Sequence, residues 1–484
     1  MSVLTRALPV LAIATVALAP RPAAHGLQVD GAVWRVGADG PLVELDVSWR
    51  NAWRSERNHD AAWVVLRDGC ELGGAPLTLD RERAAFQVVL GDSPAAPGAV
   101  IDMSDDAVGC FVRLAEPYRG DVRWRIAVPV VESPEGRGCV EVAPFALEMV
   151  FVPGGPFELG DDDPGAIGQG AFHRLGDDGE AAGTWLVEDE RAIPVGGAGG
   201  LAYDDRGKPD YVGDGEGPIP AAYPKGTRAF YVMKYELKQG EYAAFLNALG
   251  APAWKLRANH ELGEGREVQR EVKTCTIRRA PDGGFVAEAP ERPANFVSWN
   301  DTAAFADWAG LRPMSELEFE KAARGPARPT PLDFPWGTAS RDELKRRVEK
   351  TRDLAFATAE DERGLDDATR AEHGASFYWV MDLSGSLWER VVTAGNPVGR
   401  AFTGSHGDGV LDPRTGAATN ADWPLGEERL VPGVGYRGGA EYFTEPTLTN
   451  PESRVAIRTY GAWGGAHRFK TYSARACRTA PDVR

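Results

Sequence analysis

Between residues 27 and about 140, apolar positions come in short runs separated by turn residues: Ala32–Val36, Leu42–Trp49, Ala61–Leu66, Ala85–Leu90, Val108–Leu114 and Val122–Val128. Val43-Glu44-Leu45-Asp46-Val47 alternates apolar and acidic side chains, the period of a strand with one buried face. Asp68-Gly69, Gly91-Asp92 and Pro97-Gly98 punctuate the runs as turns. Short strands at this spacing predict a β-sandwich over 26–138, ended by the boundary Ser133-Pro134-Glu135-Gly136-Arg137-Gly138.

The pattern then changes. Phe145–Val152 reads as a strand turned by Pro153-Gly154-Gly155. Residues 160–225 are rich in Gly, Asp and Pro, with Asp161-Asp162-Asp163 and Gly196-Gly197-Ala198-Gly199-Gly200, and are predicted to form a mobile acidic insertion. Three helices follow. Lys238–Leu249 carries Tyr242, Phe245, Leu246 and Leu249 on one face and stops at Gly250. Ser298–Ala309 and Ser315–Arg324 each open on a capping box, Ser298 with Asp301 and Ser315 with Glu318. Beyond residue 330 short strands and loops return, so residues 139–484 read as a second unit and the chain as α+β.

The N-terminus reads as an address. Arg6 precedes the apolar run Ala7–Ala19, and small residues follow at Ala23 and Ala24. This is the pattern of a secretory signal over 1–25, cut between Ala19 and Gly26. The run is shorter than the ~20 residues a bilayer needs, and no later stretch qualifies. The sequence therefore predicts an exported protein, periplasmic or extracellular, without membrane insertion.

Charge narrows the partners. The 54 Lys+Arg against 71 Asp+Glu leave a net charge of −17, which argues against nucleic acid and anionic membrane as partners. A hydrophobic content of 43% with 14 Trp argues against a disordered chain. Export permits disulfides among Cys70, Cys110, Cys139, Cys275 and Cys477, and the odd count leaves at least one unpaired within a monomer. Cys70 with Cys110 is the favoured bridge, and Cys139 competes for either.

From residue 145 onward the motifs resemble, in order, the formylglycine-generating enzyme (sulfatase-modifying factor) family. They are Phe151-Val152-Pro153-Gly154-Gly155-Pro156-Phe157, Tyr231–Leu249, Pro293–Trp299, Arg312–Gly325, Phe334-Pro335-Trp336-Gly337, Met381–Glu389, Arg437-Gly438-Gly439, Arg454, Arg458 and Arg475. The resemblance implies a C-type-lectin-like fold, rich in loops. In oxidase members two cysteines of the closing segment bind copper(I), which soft thiolates suit. Here Ala440 to Ser453 contains no cysteine, so the resemblance implies that copper-dependent formylglycine formation is not retained.

Relatives that use non-haem iron suggest a second enzymatic reading, but His25, His59, His173, His260, His373, His406 and His467 show no helix or strand ligand spacing. Glu316 and Glu318 could pair as glycosidase carboxylates, yet they occupy a first helical turn, where negative charge is favourable anyway. The resemblance implies a structural calcium held by Asp382, Ser386 and Glu389, with Ser386 standing where asparagine is usual. Asp408, in the tight loop Ser405–Gly409, is a further oxygen donor. The favoured function is an exported, non-catalytic family member that binds an unidentified protein or cell-surface ligand through its lectin-like loop face. The alternative is an enzyme of the family with non-copper, iron-dependent oxidative chemistry.

Overall fold

The computed structural model describes residues 26–88, 97–135, 138–204, 213–258, 275–345, 364–426, 429–440 and 451–482. The predicted signal, Gly91-Asp92, His25, His260 and most of Ala440–Ser453 lie outside the described residues.

The early runs fold as strands β1 (Gln28–Gly37), β2 (Gly40–Arg54), β3 (Asp60–Asp68), β4 (Phe86–Val88), β5 (Ala99–Met103), β6 (Cys110–Leu114) and β7 (Tyr118–Pro129). One sheet has the order β1-β2-β7-β4. In it β2 turns Val43, Leu45 and Val47 inward. The alternate residues face solvent, where Arg35 pairs with Glu44 at 3.1 Å and Arg125 with Asp46 at 2.6 Å.

β3 belongs to a different sheet. It pairs antiparallel with β6 and with β8 (Val142–Val152), which pairs in turn with the strand Phe230–Met233. The seven-stranded order is Arg312–Pro313, Ala476–Thr479, Phe230–Met233, β8, β3, β6, β5. The run Ala61–Leu66 shows why. Ala62, Val64 and Leu66 pack toward the four-stranded sheet, whereas Ala61, Trp63 and Val65 pack into the larger core with Phe145, Phe305 and Trp308. A strand covered on both faces is a continuous apolar run rather than an alternating one.

The boundary at residues 138 and 139 does not divide the sheet, because β3 and β8 pair continuously from Asp60 with Val150 to Asp68 with Val142. The disulfide joins Cys70 to Cys139, not to Cys110. The Gly69 N–H donates to the Glu141 carbonyl at 2.9 Å, which brings the end of β3 beside the start of β8. Cys110 lies inside the sheet opposite Val64, and burial pushes its thiol up to about 12.

The three predicted helices form at Gln239–Ala248, Trp299–Trp308 and Glu316–Arg324, and both serine capping boxes are present. Phe305 and Trp308 bury against Phe145 and Phe245. Trp63 and Arg67 of β3 donate to the carbonyls of Ala309 and Trp308, at 2.7 and 2.8 Å, closing the end of that helix. The described part of the acidic insertion is tied to this body. Asp161 accepts from the Leu332 N–H at 2.7 Å, Glu190 accepts from the N–H groups of Lys225 and Thr227, and Asp214 pairs with Arg400 at 2.5 Å. Among the described residues no helix is long and apolar enough to cross a membrane.

Candidate functional site

Helix Glu316–Arg324 sets the frame of the site. Glu316 and Glu320 are one turn apart, so both carboxylates face the same side. Arg437, at the end of the strand Val434–Arg437, reaches Glu316 at 3.1 Å and also pairs with Glu320. Arg458 donates to Glu316 at 2.6 and 2.9 Å. Burial disfavours the charged form of Glu316, but Arg458 and Arg437 outweigh it and hold the carboxyl below its usual range. Glu318 points elsewhere and binds Arg312 through both oxygens, at 2.6 and 2.8 Å. The two glutamates weighed as glycosidase carboxylates are thus buried in separate ion pairs.

Arg437 leads the closing segment onto the loop Asp382–Glu389. The Gly385 N–H donates to the Gly438 carbonyl at 2.8 Å, and the Ser384 hydroxyl donates to the Ser453 carbonyl at 2.7 Å. Gly439 has φ 69°, and a Cβ there would lie 2.9 Å from the Ser453 backbone, so only glycine fits this approach. Arg454 stacks over Phe334 at 4.4 Å. The separately read motifs therefore meet in one place.

Within this loop the structure does bring Asp382, Ser386 and Glu389 together, all buried. Their partners are protein groups. Arg475 donates to both oxygens of Glu389, at 2.8 and 2.6 Å. The Ser386 hydroxyl donates to Glu236 at 2.6 Å, and the Leu387 N–H donates to its other oxygen at 2.9 Å. Burial, then the charges of Glu389 and Asp382, push the Glu236 carboxyl well above its usual range. Among the described residues no three His, Cys, Asp or Glu side chains are placed to hold a metal ion. Calcium ligation by this set does not fit the arrangement, because Glu389 is committed to Arg475 and Ser386 to Glu236.

The described histidines are dispersed. His59 shares a hydrogen bond with the Tyr231 hydroxyl at 2.9 Å and stacks on Phe151. His173 binds the Ala171 carbonyl, His406 accepts from the Thr479 N–H, and His467 packs among Trp463 and Tyr472. Asp408 turns its own loop by accepting from the Val410 N–H at 2.8 Å. The Cys477 thiol is buried beside Arg312, whose Nη1 is 2.9 Å from its sulfur. Burial holds that thiol well above its usual range.

Sequence reasoning missed Glu236 and the pairing of Arg475 with Glu389. Their partners are 150 and 86 residues away in sequence, and no local pattern signals them.

Residues 141–408 match the family described as the Sulfatase-modifying factor enzyme 1-like domain. The chain belongs to this family. It is similar to the formylglycine-generating enzyme of Thermomonospora curvata, 25% identical over 270 residues that cover 51% of this chain and 71% of that protein. It is also similar to the inactive C-alpha-formylglycine-generating enzyme 2 of Mus musculus, 28% identical over 141 residues, or 29% and 45% of the two chains. A shorter likeness, 30% identical over 116 residues, is to the hercynine oxygenase of Mycolicibacterium smegmatis and covers 22% and 25%.

Proposed function

We propose that this protein is an exported, non-catalytic member of the sulfatase-modifying factor family that binds a protein or cell-surface ligand through its loop face. One observation carries the reading: no cysteine lies between Gly439 and Arg454, where the oxidases of the family carry their copper-binding pair. Soft thiolates are the donors copper(I) requires, and of the free cysteines Cys110 and Cys477 are buried on different strands. A relative named as inactive supplies a precedent within the family. The Cys70–Cys139 bridge supports an oxidising compartment.

An aromatic patch supports this reading. Trp388, Tyr460 and Trp463 are half-buried and contact one another or Tyr436 edge-on, and Phe469 beside them is 43% exposed. Rings with one exposed face are recurrent contact groups at binding surfaces. In this reading the N-terminal strands form a β-sandwich layer that supports the family domain.

The likeness to a hercynine oxygenase favours a second reading, an iron-dependent oxidative enzyme. Metal analysis of protein purified from its exported fraction separates the two. Stoichiometric copper or iron would contradict the binding-module reading; protein free of both fits it.

A further inference from the structure

Two carboxylates and a lysine lie beside the first described residue. A Cβ built on Gly26 would lie 3.7 Å from Lys238 Nζ, 3.9 Å from Glu291 Oε2 and 4.0 Å from Glu148 Oε2. Glu148 is only 6% exposed. Its Oε1 accepts from Lys234 Nζ at 2.6 Å, but its Oε2 is buried without a hydrogen-bond partner. Lys238 Nζ is held by Glu291 at 2.8 Å over the Tyr235 ring, and Glu241 accepts from the Lys238 N–H at 2.9 Å. Lys234 also faces Asp60, at 3.5 Å.

Asp60, Glu148 and Glu291 form ion pairs with Lys234 and Lys238, and Asp60 also accepts from the Trp49 indole N–H and the Trp53 N–H. A buried carboxylate oxygen without a donor is costly, and a further ammonium would relieve both that loss and the charge imbalance. The cut zone Ala19–Gly26 supplies one.

We propose that the α-amino group created by removal of the leader, at Gly26, docks against Glu148 and Glu291 and fastens the start of β1 to the family domain. The inference rests on the reading of residues 1–25 as a signal. Leader removal then completes the fold as well as releasing the chain. A docked ammonium has its pKa raised above the ordinary 7.7–8.0 of an α-amino group. Its stabilisation is full below that ordinary value and is lost as pH rises through the raised one. The acidic residues named above raise it, whereas Lys234 and Lys238 oppose it.

The test begins with N-terminal sequencing of exported protein. The α-amine is then labelled by reductive 13C-methylation and titrated by NMR, in the native protein and in Glu148→Gln and Glu291→Gln. The expected start is Gly26. The expected amine titrates at least one pH unit above its ordinary value, with the shift reduced in either variant. N-terminal acetylation is expected to lower Tm at pH 7 and to have no effect at pH 10. An amine that titrates normally, a start anywhere from Pro20 to His25, or a shift unchanged in both variants, overturns the docking alone. Retention of Met1, or a start upstream of Pro20, overturns the signal reading itself. Should either variant fail to fold, the titration of the unsubstituted protein decides.

Discussion

Arg475 grips both carboxylate oxygens of Glu389 in a fully buried, two-pronged ion pair. The same guanidinium donates to the carbonyls of Met233 and Met381, so it ties the motif loop to the central sheet. A charge this deep cannot lose its partner cheaply. Glu389→Ala is expected to cost about 3–5 kcal/mol, read as a lower urea midpoint with an unchanged slope. The double variant with Arg475→Met should lose less than the sum of the single changes, and simple additivity would contradict the pairing.

Calcium follows from the same geometry. With Glu389 committed to Arg475 and Ser386 to Glu236, millimolar calcium is expected to leave Tm unchanged. A rise that vanishes in Glu389→Ala would show that calcium displaces the arginine.

His59 makes the fold sensitive to acid. Burial, then the charges of Arg113 and Arg54, pull its pKa down to about 3. The unfolded chain takes up a proton near the ordinary 6.5, so stability falls as pH drops below that value and continues to fall until about 3. The slope from this residue is about 1.4 kcal/mol per pH unit. Urea titrations at pH 7, 5.5 and 4.5 should show it, with a shallower decline in His59→Gln. An equal decline in both proteins would assign the acid lability elsewhere.

The Cys70–Cys139 bridge closes a loop across 69 residues. In the chain-entropy account a loop of this size stabilises by about 4 kcal/mol. Reduction, or Cys70→Ser, should lower Tm by several degrees. Peptide mapping under non-reducing conditions should recover the Cys70–Cys139 pair with Cys110 as a free thiol, and a Cys70–Cys110 peptide would refute the assignment.

Because β3 sits between β6 and β8, the N-terminal strands and the family domain share one sheet. Calorimetry should show one unfolding transition. Protease nicking near Pro134–Cys139 should leave both pieces together on gel filtration in reductant, where the Cys70–Cys139 bridge cannot hold them. A fragment beginning at residue 139 exposes the β8 edge and should aggregate; a stable, soluble fragment would restore the two-unit picture.

How much of this was legible in the sequence depended on the range of the interaction. The helices were readable because their signals are local: Ser298 with Asp301 and Ser315 with Glu318 close capping boxes within four residues. The strands were readable from their runs. Their assembly was not, although Ala61–Leu66 carried the hint, since an apolar run without alternation suits a strand covered on both faces. Disulfide choice turned on the approach of Gly69 to Glu141, which is a tertiary fact. The motif residues Asp382, Ser386 and Glu389 lie buried in one loop. Their partners Arg475 and Glu236 came from other segments, and that changed the chemistry assigned to them.

The proposal that this family member lacks the oxidase chemistry rests on the stretch between Gly439 and Arg454, which carries no thiolate pair for copper. The most direct measurement is mass spectrometry of a peptide bearing the sulfatase-type cysteine motif after incubation with the protein, copper and reductant. The account predicts an unchanged cysteine. Conversion to formylglycine, abolished by replacing Cys275 or Cys477, would contradict it.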